Sequence, residues 1–129
     1  MRLTPSIAAA LVLFCSLAGV LSNPARADGN ADTGAKIFKL KCGMCHTTVA
    51  GQNKIGPSLA GVFDRKAATA PVYHYSEAMK NSGLTWDALT LDSYLTLPKA
   101  KVPGTKMTFA GLPKDTDRAD IIAYLGTLK

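Results

Sequence analysis

Cys42-Gly43-Met44-Cys45-His46 is the stretch on which the reading of this chain turns. Two cysteines three positions apart, at the end of a helical segment, project from one turn, so both sulfurs reach a single flat ligand. His46 then offers an imidazole nitrogen from the same side. Two other chemistries use cysteines at this spacing. A structural zinc ion needs four ligands, and past residue 27 the chain adds to these two thiols only His46 and the distant His74. A thioredoxin-like dithiol belongs to a βαβ setting, and no stretch here alternates as a strand does. The remaining reading is the c-type haem attachment pattern, in which two thioethers hold a porphyrin and the histidine binds its iron.

The chain has 129 residues, 47% of them hydrophobic and 19% charged, with a net charge of +6. That is one domain's worth, too apolar for a disordered chain. The first 27 residues stand apart. Arg2 precedes an apolar run from Ile7 to Leu21, followed by Ser22-Asn23-Pro24 and Ala25-Arg26-Ala27. This is the layout of a secretory signal peptide cut after Ala27. The run is shorter than the roughly 20 residues that span a bilayer. The expectation is a signal peptide over 1–27 and one periplasmic domain over 28–129, without stable membrane insertion. Losing Arg2 and Arg26 takes the charge from +6 to +4, 13 Lys+Arg against 9 Asp+Glu. Cys15 leaves too; it follows Leu13-Phe14 rather than a small residue, which argues against a lipidated cysteine.

The rest reads as all-α. Helices are expected over about Ala31 to Lys41, over Trp86 to about Leu97 capped by Thr85, and in a C-terminal segment capped by Asp115 or Thr116. A short helix fits Ser76 to Asn81. Thr47 to His74 and Pro98 to Lys114 are left as two long loops rich in glycine and proline. Loops of that length in so small a domain wrap something, and three helices alone make a thin core. A bulky apolar ligand supplies the rest.

A second strong-field ligand on the iron would restrict it to electron transfer. An open position would bind gases or peroxide instead. Methionine raises haem potential when paired with histidine. Met44 lies between the cysteines and cannot reach the opposite face, and Met79 sits in a helix where it packs. Met107 rides on the second loop, 61 residues after His46, and is the expected ligand. His74, between Tyr73 and Tyr75, is a loop residue.

Gly34, Phe38, Cys42 to His46, Gly56-Pro57-Ser58-Leu59, Pro103 to Met107 and Arg118 to Leu125 together resemble a class I c-type cytochrome. They are most similar to the mitochondrial proteins and their bacterial c2 relatives. The resemblance runs from about Asn30 to Leu128. It implies the cytochrome c fold, with three main helices and one or two short ones around one covalently bound haem c. Gly34 would permit the crossing of the terminal helices, with Phe38 and Tyr124 packed there. Pro57 would accept the Nδ1 proton of His46. Arg65, Tyr75, Trp86 and Thr105 match positions at the haem propionates or their surroundings, and Tyr94 matches a tyrosine beside the methionine sulfur. Met79 and Leu97 depart from the pattern, each standing where the family has an asparagine.

Lys41, Lys54, Lys99, Lys101 and Lys106 flank the segments bearing the expected iron ligands. They suit a docking face for acidic redox proteins, whether oxidase, reductase, reaction centre or dehydrogenase. Export and the lack of aromatic residues among the lysines argue against nucleic acid. The expected function is a monomeric electron carrier, not an enzyme. The alternatives are a dedicated acceptor subunit of a periplasmic dehydrogenase, or a ligand-binding or peroxidase-like haem protein if Met107 does not bind iron.

Overall fold

A computed structural model describes residues 28–129, so the expected signal peptide lies outside the described residues. These residues are helical: α1 (Ala31–Ile37), a π-helical turn (Phe38–Cys42), α2 (Glu77–Lys80), α3 (Ala88–Thr96), α4 (Pro98–Lys101) and α5 (Asp115–Thr127). Among them the one β feature is an isolated antiparallel bridge between Lys66 and Thr85. The all-α expectation holds, with three main helices and two short ones.

The first helix begins where Asn30 accepts a hydrogen bond from Thr33 N at 2.8 Å. It does not run on as a regular helix to Lys41. From Phe38 it widens into the π turn, and Gly43 N donates to Phe38 O at 2.7 Å. Such turns concentrate at functional sites, and this one delivers Cys42. For α3 the expected cap was Thr85, but the start lies at Asp87, whose Oδ1 accepts from Thr90 N at 2.7 Å. Thr85 is held in the bridge and Trp86 N donates to Arg65 O at 2.9 Å, so both residues stay extended. Leu97 turns to β geometry before Pro98, as the residue preceding proline must. Pro98 then opens α4 at its first turn, where a missing N–H costs nothing, so the second long loop carries a short helix. The last helix starts one residue after Lys114, which caps it without a side-chain bond; Asp115 Oδ1 accepts from Thr116 N instead.

The terminal helices cross where Gly34 is buried. A Cβ there would run into the Asp120 carbonyl and approach Tyr124 Cβ to 2.7 Å. Phe38 and Tyr124 pack beside the crossing with ring centroids 5.5 Å apart. Asn30 N also donates to Asp120 Oδ1 at 2.7 Å, so the start of α1 is pinned to α5. Leu91, Tyr94 and Leu95 from α3 join Ile121, Ile122 and Leu125 from α5 in the core. Each fully buried aliphatic side chain of this kind contributes about 1.5–3 kcal/mol. Ile121, 1% exposed, is its most enclosed member.

Candidate haem site

Between these helices and the two loops lies a cavity of about 520 Å³, within the roughly 300–1,000 Å³ usual for small-molecule sites. Cys42, Cys45, His46, Pro57, Arg65, Tyr75, Trp86, Tyr94, Thr105 and Met107 all line it. Every site residue expected from the sequence is therefore brought to one place.

The π turn presents Cys42, and His46 follows in a turn closed by His46 N donating to Cys42 O at 2.9 Å. Both thiols are free and half-buried. Burial, and then the neighbouring Cys45, push the Cys42 thiol up to about 11. His46 Nδ1 lies 2.8 Å from Pro57 O. A carbonyl only accepts, so Nδ1 carries the proton and Nε2 keeps its lone pair. Burial lowers the His46 pKa, partly offset by the Pro57 bond and reinforced by Lys54. A neutral imidazole with a free Nε2 is the form that binds a metal. Gly56 makes room for it: a Cβ there would collide with the ring.

On the second loop, Met107 is anchored by its neighbours. Tyr94 Oη donates to Met107 Sδ at 3.2 Å, and Met107 N donates to Thr105 Oγ1 at 3.3 Å. Burial raises the Tyr94 pKa against the lowering effect of its Thr105 contact. The phenol therefore stays a donor. Trp86 packs against Tyr94 with ring centroids 4.8 Å apart and the planes tilted by 58°.

Arg65 donates from Nη1 to Ala60 O at 2.7 Å and from Nη2 to Ser58 O at 3.3 Å, while its buried Nε has no protein partner. A buried donor without an acceptor is costly, and it suits an anionic ligand group at the cavity wall. A haem has two carboxylates as well as an apolar macrocycle, so the donor set fits it. Among the described residues no group of three or more His, Cys, Asp or Glu could hold a separate metal ion.

Met44 is 85% exposed and turned from the cavity, as its position between the cysteines implied. His74 is exposed and outside the lining. Met79 packs in the core, as expected, and also lines the cavity. Asn53 was missed by sequence reasoning. Its Oδ1 accepts from Ser58 N at 2.9 Å and its Nδ2 donates to Pro71 O and Val72 O at 3.0 Å, which knits the first loop together. An asparagine five residues before a serine carries no signal for contacts that cross eighteen positions.

The model of the cytochrome c family matches residues 31–129. The chain belongs to the cytochrome c family. A cytochrome c2 from Rhodoblastus acidophilus is 55% identical over 102 residues, covering 78% of this chain and 94% of that protein. A cytochrome c from Euglena viridis is 48% identical over 101 residues, covering 78% and 99% respectively. The solved structure of cytochrome cH from Methylobacterium extorquens superposes with a TM-score of 0.72 at 47% identity, covering 77% of this chain and 99% of that one. Cytochromes of this family carry one covalently bound haem c. This cytochrome is a class I monohaem electron carrier rather than an enzyme.

Proposed function

We propose that the protein is an exported, monomeric cytochrome that carries single electrons between redox proteins, with Cys42 and Cys45 bound to the haem as thioethers and His46 and Met107 as axial ligands. The haem, when bound, supplies a one-electron couple and the only reactive centre. The observation that carries the reading is the pairing of two prepared ligands in one cavity: His46 with Nδ1 committed to Pro57, and Met107 with its sulfur held by Tyr94. His46 and Met107 would together hold the iron and would keep it from gases and peroxide. Arg65 Nε would bond a propionate, and Tyr75, Trp86 and Thr105 would wall the same side.

Acid–organic extraction should leave the colour with the polypeptide, and the oxidised protein should show the weak near-infrared band of a methionine–iron bond. Met107→Ala should abolish that band, lower the reduction potential and admit carbon monoxide. An unchanged spectrum in the variant would remove Met107 from the ligand set and favour a ligand-binding haem protein.

Export rests on the secretory layout of residues 1–27. No helix among the described residues is long and apolar enough to cross a membrane. Mass spectrometry of the mature protein should find Asp28 as its first residue. Lys41 and Lys106 line the cavity and Lys54 Nζ donates to Gly43 O at 2.7 Å, which supports a basic face toward acidic partners.

A further inference from the structure

Pro57 O and Ser58 N are the two ends of one peptide group, and both ends are engaged. His46 Nδ1 lies 2.8 Å from the carbonyl, and Ser58 N donates to Asn53 Oδ1 at 2.9 Å. Three groups therefore stand in series: the Asn53 amide, the Pro57–Ser58 peptide and the His46 imidazole. Ser58, 4% exposed, is held at its other atoms too. Its Oγ donates to Val49 O at 2.7 Å, and its carbonyl accepts from Arg65 Nη2 at 3.3 Å. The peptide plane cannot turn without breaking these bonds. Hydrogen bonds in such a chain polarise one another. An acceptor on the Ser58 N–H makes the Pro57 carbonyl a better acceptor for His46.

The other end of Asn53 is committed as well. Nδ2 donates to Pro71 O and Val72 O, both at 3.0 Å, so the three partners permit one orientation of the amide. Val72 has φ +54° and is 95% exposed. A β-branched residue is disfavoured in this left-handed region, and so open a position offers no packing in return. Strain of this kind persists where the surroundings dictate it. Here the turn aims two successive carbonyls at Asn53, and the next residue, Tyr73, donates from Oη to Ile55 O at 2.8 Å. Tyr73 and Tyr75 both line the cavity, so Asn53 joins the loop that holds His46 to a second stretch of cavity wall. We propose that Asn53 is a positioning residue for His46. Through the Pro57–Ser58 peptide it fixes the Nδ1 bond, and with it the electron-donating strength of Nε2, while the strained Val72 turn keeps the amide in register. The inference rests on the reading of His46 as an iron ligand.

Proton NMR of the reduced holoprotein tests both levels. Ring protons of His46 shifted far upfield by the porphyrin establish ligation, whereas unshifted ring protons would sink the ligand reading and this proposal with it. In Asn53→Ala the His46 Nδ1 proton should move upfield, as a weakened bond requires. It should also exchange with solvent about three- to tenfold faster, the effect of losing one net hydrogen bond. Asn53→Asp keeps an acceptor for Ser58 N but loses the donors to the turn. It should hold the Nδ1 proton downfield while the amides around Val72 exchange faster. Asn30→Ala removes the side-chain cap of α1, at a comparable cost in stability, and should leave the Nδ1 signal in place. An unmoved Nδ1 proton in Asn53→Ala overturns the proposal. So does an equal shift in Asn30→Ala, which would mean general loosening. If Asn53→Ala does not take up haem, native-state exchange of the wild type decides instead. Ser58 N–H and His46 Nδ1–H should then open together, with one dependence on denaturant, and independent opening overturns the coupling.

Discussion

The guanidinium of Arg118 on α5 bonds Asp92 on α3 through Nε at 2.9 Å, and its Nη1 donates to Leu112 O at 2.8 Å and Pro113 O at 2.9 Å. One side chain, 11% exposed, therefore fastens two helices and the end of the loop that bears Met107. Arg118→Ala removes the bond to Asp92 and leaves the Leu112 and Pro113 carbonyls without this donor. It should cost about 2–4 kcal/mol in denaturant unfolding of the holoprotein. It should also make the near-infrared methionine band fade at a lower temperature. Arg118→Lys should recover only part, because an ammonium cannot reproduce the planar fork.

Gly56→Ala tests the space around His46. The new Cβ would meet the imidazole ring, so either the ring or the Gly56 backbone must shift. A destabilisation of about 1–3 kcal/mol is expected, as for overpacking elsewhere. Holoprotein yield should fall as well, because the Pro57 bond orients the ring. Wild-type yield and stability would show that the neighbouring backbone gives way without cost.

Tyr75 supplies a pH signature. Burial raises its pKa above the ordinary 10.0, against the lowering effects of the Ala70 N–H bond and of Arg65. The native state thus holds this proton after the unfolded chain has released it. Its stabilising effect is complete below pH 10 and is lost as pH rises through the raised value. Tyr75→Phe should make the alkaline decline of stability shallower by a fraction of a proton. At neutral pH it should cost about 1 kcal/mol, because Ala70 N loses its acceptor, now at 3.2 Å. Chemical denaturation at a series of pH values reads both effects.

The lysines give a kinetic prediction. Second-order electron transfer with an acidic protein should slow steeply with ionic strength, since steering of this kind is worth about 10–10³-fold and is screened over about 8–10 Å. Lys99→Glu on α4 or Lys106→Glu beside Met107 should slow it at low salt without changing the visible spectrum. Lys129→Glu, beyond the end of α5, should matter much less. Equal effects at all three sites would show that net charge alone governs encounter.

The cavity was legible because its chemistry is carried by rare residues. With two cysteines, two histidines and three methionines to choose from beyond residue 27, the proposed ligand set could be chosen almost by residue type. Tyr94, Pro57 and Arg65 were legible only through resemblance, since none carries a local pattern. What escaped was decided by distant contacts. Thr85 is a better cap than many, yet the bridge to Lys66 takes it and leaves the work to Asp87. The π turn from Phe38 to Cys42 has no sequence mark at all. Pro98 was read as a stop for α3, which it is, but the same fixed φ starts α4.

The crossing at Gly34 also has a consequence in time. Its partner, Asp120, is eighty-six positions away, so α1 finds the surface that buries it only after nearly the whole chain exists. Contacts of such separation carry a closure cost that must be met before they repay it. During synthesis the first helix is therefore an open end, and the two thiols at its exit stay reachable. Only the arrival of the last thirteen-residue helix, Asp115–Thr127, shuts the door behind them.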